Sequence, residues 1–327
     1  VGVHILKRLF VMKDGRLRPE WRIIVALVFT SIIAGLLFLV FWGTMTAVVE
    51  VPTDLTGEQT EEFLVKGMEE VVDGSGWLKL IQRLIPSLAL ILGILLALRL
   101  LDKKKLADIG VGPLLEHRGE FAYGLALGAV SMAVVFAALL ASDSITLENG
   151  LADPRFSWNL VAGAVLFIFV GFTEELYSRA YSISALSETW NRWAAAIVTS
   201  LIFSLLHVGN ANVSLTGLMN VGLVGFLFAY MFVRTGSLWM PAGYHITWNY
   251  FQGYIFGFPV SGRKLEGVYT VAASHNDLLT GGAFGPEGGI LTTLVILAGF
   301  YMVWRFTGGG NPWGIKEPET EDEPELI

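Results

Sequence analysis

Three short runs hold the residues able to do chemistry. The first is Gly171-Phe-Thr-Glu174-Glu175-Leu-Tyr-Ser-Arg179, the second Phe203-Ser-Leu-Leu-His207, the third Gly243-Tyr-His245-Ile-Thr-Trp-Asn249. Each lies in an apolar stretch. An ionisable group in hydrocarbon costs on the order of a few kcal/mol, so it faces a cavity and often marks function. The types present allow water activation. A carboxylate takes a proton from water, a histidine orients that water or relays a proton, and His plus Asn donate to a developing oxyanion. The same groups, two histidines and a glutamate, also suit a divalent metal such as zinc, although the zinc-protease signature His-Glu-x-x-His is absent.

Spacing sharpens this. Glu175 and Arg179 are four apart on one helix face and can pair, which lowers the cost of both. His245 and Asn249 are likewise four apart. A polar turn, Ser187–Arg192, joins the helices that carry Glu174 and His207. Both residues lie about 20 Å from that turn at about 1.5 Å per residue. An antiparallel hairpin therefore brings them to similar depth. His245 is close to the start of its helix, so the connector Thr235–Gly243 must dip into the membrane for it to join them. Taken singly each motif has an ordinary explanation, a surface ion pair or an interhelical hydrogen bond. Their joint occurrence points to a site.

The elements that must hold these groups are membrane helices. Of 327 residues, 54% are hydrophobic and only 16% charged, where a soluble domain carries about 25%. A water-soluble fold has no place to hide so much apolar surface. The absence of cysteine removes thiol nucleophiles, disulfides and thiolate metal sites. The net charge of −7 argues against a nucleic-acid binder. We expect an all-α polytopic membrane protein with an intramembrane polar cavity. About eight spans are expected, at 22–49, 80–101, 120–141, 158–186, 193–208, 217–233, 240–257 and 288–306. The first has too long an apolar run for a cleavable signal peptide, whose core is about 7–15 residues.

Lysine and arginine set the orientation. Lys7, Arg8, Lys13, Arg16, Arg18, Arg22, Arg99, Lys103, Lys104, Lys105, Arg118, Arg179, Arg192, Arg234, Arg305 and Lys316 fall on one side. Lys66, Lys79, Arg83, Arg155, Arg263 and Lys264 fall on the other. Both termini are then cytoplasmic, in the cell membrane. The acidic loop 50–79 is external, with a short amphipathic helix expected over Glu61–Val72. The acidic tail, Glu317 to Glu325, reads as solvated and disordered. Three parts follow: 1–157, with three spans and the external loop; a core of four helices at 158–257; and 258–327, with a second external loop, the last span and the tail.

At these motifs the sequence resembles the type 2 CAAX prenyl endopeptidase and bacteriocin-processing family of intramembrane proteases, whose pattern runs Glu-Glu-x-x-x-Arg, Phe-x-x-x-His, His-x-x-x-Asn/Asp. The run Thr235–Trp239 is also similar to the family. The resemblance covers about 158–257. It implies an intramembrane endopeptidase that cleaves a membrane-associated protein or peptide, near a C-terminus in CAAX processing, with its site reached from the cytoplasm. Carried over by position, Glu174 is the general base, His207 helps polarise the water, and His245 and Asn249 hold the oxyanion. Glu175, Arg179 and Phe203 support them. No cofactor and no metal is required in this version, while a metal-dependent version of the family leaves zinc open. The competing reading is a non-enzymatic scaffold, chaperone or bacteriocin-immunity protein that binds a peptide in the same cavity. A transporter is disfavoured by the absence of an internal repeat.

Overall fold

A computed structural model describes residues 9–309. The expected acidic tail, Lys316, Lys7 and Arg8 lie outside the described residues. The chain is an all-helical polytopic membrane protein, with helices α1 (Pro19–Thr46), α2 (Gly57–Gly74), α3 (Gly76–Ala97) and α4 (Arg118–Ala141) in its first half. Then come α5 (Trp158–Glu175), α6 (Ser182–Leu186), α7 (Arg192–Leu205), α8 (Leu215–Thr235), α9 (Trp239–Tyr250), a single turn α10 (Asp277–Thr280) and α11 (Ile290–Phe306). Three helices change pitch without breaking. Wider π turns extend α3 over Leu98–Asp102, join α5 to α6 over Leu176–Tyr181, and extend α9 over Phe251–Ile255.

Five helical runs are long and apolar enough to cross a membrane: Pro19–Thr46, Gly76–Asp102, Arg118–Ala141, Trp158–Leu186 and Leu215–Thr235. Of the other expected spans, Arg192–Leu205 and Ile290–Phe306 are apolar but shorter. The expected span 193–208 ends early, and the cause is local. His207 turns its ring back on the Phe203 carbonyl, which a continuing helix would have bonded to the His207 N–H. Gly209, Asn210 and Asn212, the last with a positive φ of 58°, then carry the chain round. His207 therefore sits in the turn after α7 rather than within a helix. The amphipathic segment expected at Glu61–Val72 is longer than predicted, because Thr56 and Gln59 form a capping box that starts α2 at Gly57. Its apolar side, with Val72, covers Phe41, Met45 and Ile85.

The helix ends sort into two groups. At one end Arg22 of α1 pairs with Asp102 and with Glu188, 2.6 Å away. Lys104 reaches Glu188 at 2.7 Å and the Tyr181 hydroxyl donates to Asp102. The Leu238 N–H donates to the Gly110 carbonyl, and Arg234 bonds to Thr307. So the start of α1 and the ends of α3, α6, α8 and α11 meet at a basic end. At the opposite end β1 (Ile145–Leu147) pairs antiparallel with β2 (Val271–Ser274). Trp77 packs on Trp158 there with ring centres 4.8 Å apart, and Asn220 holds the Glu287 carbonyl at 2.8 Å.

The basic-end network yields a pH prediction. Burial pushes the Glu188 carboxyl up, but hydrogen bonds and charge from Arg22 and Lys104 outweigh it and hold it below the usual carboxylate range. A carboxyl ionises near pH 4.3 in the unfolded chain. The stabilisation is therefore fully present above about pH 5 and fades as pH falls through the lower folded value. Glu188→Gln should cost about 1–3 kcal/mol at neutral pH and nothing in strong acid. Melting temperatures of the two proteins across pH check this.

α9 makes its most extensive contact with α4, and glycine permits it. A Cβ on Gly124 would strike the Met240 carbonyl, and one on Gly128 the Tyr244 carbonyl and the Thr247 hydroxyl. Two small residues four apart let membrane helices approach backbone to backbone. Gly128→Val should lower stability by about 1–3 kcal/mol. It should also displace His245, carried on the same helix. Thermal unfolding in detergent measures the first effect.

Candidate active site

Successive helix residues point about 100° apart, and α5 uses this at its two glutamates. The Glu174 side chain is 37% exposed and lines a cavity, while Glu175 is completely buried. Immediately after them the backbone opens into the π turn that holds Arg179. Such insertions occur frequently at functional sites.

Glu175 is the hub. Its Oε1 accepts from Arg179 Nη1 at 3.1 Å and from His245 Nδ1 at 2.9 Å. Arg179, fully buried, donates from Nη2 to the Gly225 carbonyl at 2.8 Å. Its guanidinium lies over the Phe203 ring at 4.4 Å and the Phe228 ring at 5.4 Å. These contacts replace water around a charge that has none. His245 stacks on Phe228 at 5.2 Å and meets the edge of Phe203 at 6.3 Å. A carboxylate can only accept, so the Glu175 contact fixes a proton on Nδ1. The other nitrogen, Nε2, is 3.9 Å from Glu174 Oε2, within electrostatic reach but too long for a hydrogen bond.

His207 is fixed in the same way. Its Nδ1 lies 2.7 Å from the Phe203 carbonyl, which only accepts, so Nε2 is the nitrogen left for a solvent molecule. Asn249, one turn beyond His245 on α9, is buried at the cavity wall. Its amide has no hydrogen-bond partner among the described residues.

Glu174, Phe203, His207, His245 and Asn249 thus border one cavity of about 750 Å³. Glu175 and Arg179 lie behind it. The connector Thr235–Gly243, which the sequence reading expects to dip into the membrane, makes a tight turn at Gly236, where φ is 69°. It is secured by Trp239 Nε1 on the Gly112 carbonyl at 2.8 Å. α9 starts at once, and His245 falls in its second turn.

Several wall residues escape motif reading. Gly225 acts through a backbone carbonyl and Phe228 through its ring face, and neither carries a polar signal. Glu287 lies in the segment expected to be an external loop, yet it borders the cavity. Its Oε2 accepts from the Ser261 N–H at 2.6 Å and from the Ser261 hydroxyl at 3.0 Å. Burial pushes this carboxyl up, against the lowering pull of the Ser261 hydrogen bonds and of the His207 charge. An isolated acid in the run Gly285-Pro-Glu287-Gly-Gly beside an apolar helix was its available signal. Among the described residues no group of three or more His, Asp and Glu is placed to hold a metal ion.

The model of the type II CAAX prenyl endopeptidase Rce1-like family matches residues 156–251. Over these residues the chain is similar to that family. The Rce1-like segment runs from the start of α5 to the end of α9, and it contains Glu174, Glu175, Arg179, Phe203, His207, His245 and Asn249. The chain is similar to "Putative membrane peptidase YdiL" of Bacillus subtilis (strain 168), 32% identical over 78 residues, 24% of this chain and 30% of that protein. It is similar also to "Uncharacterized protein YyaK" of the same organism, 28% identical over 114 residues, 33% of this chain and 38% of that one. The chain spans about a third of the length of these curated relatives. Glu287 lies outside the Rce1-like segment, as do the cavity residues Arg83, Arg263 and Lys264.

Proposed function

We propose that the cavity hydrolyses a peptide bond of a membrane-associated protein or peptide, with water as nucleophile and Glu174 as general base. The observation that carries this is the division of labour between adjacent glutamates. Glu175 is committed to Arg179 and His245, which leaves Glu174 beside His245 at the cavity wall, without a hydrogen bond of its own among the described residues.

In this reading a water sits between Glu174 and His207 Nε2. Glu174 takes one proton as the oxygen attacks the substrate carbonyl, and the carbonyl oxygen becomes the oxyanion. The Asn249 amide donates to it. His245 donates from Nε2 when the ring carries both protons, because the Nδ1 proton is held by Glu175. A doubly protonated His245 also balances the charges of Glu174, Glu175 and Arg179 to zero. The tetrahedral intermediate then collapses, the C–N bond breaks, and Glu174 returns its proton to the leaving amine. Positioned acid–base groups and oxyanion donors each contribute on the order of 10²-fold or more. Glu175, Arg179 and Phe203 hold the imidazole of His245 in place. In this reading no step is routed through a metal. Undiminished turnover after chelation is the expected result.

In this reading the core is the 158–257 unit, the protein lies in the cell membrane, and both termini are cytoplasmic. The test uses purified protein in nanodiscs, incubated with a membrane proteome in ¹⁸O-labelled water. New carboxyl termini carrying ¹⁸O are expected. Captured peptides without new termini would support a scaffold or immunity role instead.

A further inference from the structure

Glu287 has no part in the steps above, yet much of the chain between α9 and α11 serves to place it. Asn220, near the start of α8, holds the Glu287 and Gly289 carbonyls at 2.8 and 2.9 Å. The Asn220 oxygen in turn accepts from the Thr293 hydroxyl at 2.7 Å. The Thr292 hydroxyl donates to the Pro286 carbonyl at 2.6 Å. At Gly285, where φ is 103°, a Cβ would strike the Pro259 carbonyl. The backbone on both sides of Glu287 is thereby fixed.

The side chain is fixed as well. Oε2 accepts from the Ser261 N–H and hydroxyl, while Oε1 takes part in no hydrogen bond among the described residues. The residue is half-buried and borders the same cavity as His207. Among the described residues no lysine or arginine is within ion-pair distance of it. Burial pushes its carboxyl up, and the Ser261 hydrogen bonds and the His207 charge pull it down. Charge on His207 and charge on Glu287 therefore favour one another. A desolvated carboxylate without a bound cation is costly, and such groups gather at functional sites.

We propose that Glu287 is a positioning residue that acts through His207, as the charge partner of the His207 imidazolium in the last proton transfer of hydrolysis. The proposal rests on the cavity being hydrolytic. Water brings two protons. Glu174 passes one to the leaving amine as the C–N bond breaks. The other remains on the former water oxygen, now part of a carboxylic acid. His207 donates from Nδ1 to the Phe203 carbonyl, so its Nε2 lone pair can take that proton. The O–H bond breaks, the N–H bond forms, and a carboxylate and an imidazolium result. Glu287 stabilises the imidazolium until it releases its proton to solvent. Glu174 and His245 also face this part of the cavity, and Arg83, Arg263 and Lys264 line it. All of them stay constant when only Glu287 is changed.

Two measurements test this, and the first needs no turnover. Diethyl pyrocarbonate acylates neutral imidazole, and mass spectrometry reads the extent on the peptide that carries His207. In nanodiscs Glu287→Gln should speed this acylation about threefold or more at pH 6, the size of a half-unit coupling. At pH 8.5, where imidazole is neutral with or without a carboxylate beside it, the rate should not change. The Gln oxygen can still accept from Ser261, and a melting temperature verifies the fold. Glu287→Ala, uncharged and smaller, should act in the same direction. Equal rates at pH 6, or the same change at both pH values, would overturn the proposal. With a cleavable peptide Glu287→Gln should lower kcat about tenfold at unchanged KM, the size of a one-unit coupling. Glu287→Asp should restore most of it. An unchanged kcat, or a loss confined to KM, would also overturn the proposal. Absence of cleavage by the wild type bears on the hydrolase reading alone, because the acylation result stands without it.

Discussion

Glu174→Gln is expected to abolish peptide hydrolysis while leaving the protein folded. The amide cannot take a proton from water, so the step that depends on it should slow by at least about 10²–10⁴-fold. Stability should hardly change. Glu174 is partly exposed to the cavity and its nearest charged contact, His245 Nε2, is 3.9 Å away. Substitutions at partly solvated positions without a bonded partner stay within about 0.5 kcal/mol. Turnover of a cleavable peptide by wild type and variant in the same nanodiscs, with melting temperatures alongside, separates the two effects. A variant that melts normally and still cleaves would remove Glu174 from its role.

Arg179→Met should have the opposite profile, with a large loss of stability. Removing one partner of a buried pair leaves the other charge without compensation, at about 3–5 kcal/mol. Here Glu175 would be stranded with only His245 Nδ1, and its Oε2 already has no partner among the described residues. The Gly225 carbonyl and the faces of Phe203 and Phe228 would lose their cation as well. The double variant Glu175→Leu/Arg179→Met removes both charges, so it should regain much of the lost melting temperature. It should not regain activity, because His245 then has no acceptor for its Nδ1 proton and its ring is free to turn. A stable, active double variant would show that the pair only fills space.

The contrast between these variants shows what was legible in the sequence. Helical periodicity placed Glu175 and Arg179 on one face, and they bond as expected. Adjacent positions on a helix cannot both face the cavity, so the inequality of Glu174 and Glu175 was implicit in the spacing. Which of them is buried depends on what α8 and α9 supply, and that is a tertiary fact. His207 was found as a residue type but was placed in a helix. Its ring competes with its own backbone N–H for the Phe203 carbonyl, a local choice that hydropathy does not register. The convergence of His245 needed a tight turn at Gly236 and two glycines on α4, Gly124 and Gly128. Their role appears only when a backbone lies against them. Arg263, Lys264 and Glu287 were read as members of an outer loop, and Arg83 as an outer-side residue of the span 80–101, since nothing in a single sequence says that a loop folds back over a cavity. Five of the expected apolar spans needed no such help, because length and composition decide them.

The central claim is that this cavity cleaves peptides through Glu174. Quantitative profiling of protein termini in membranes, from cells producing equal amounts of wild type or Glu174→Gln, tests it most directly. The account predicts a defined set of new termini in the wild-type membranes that is missing from the variant. Identical termini in both, with wild type and variant equally folded and inserted, would contradict it.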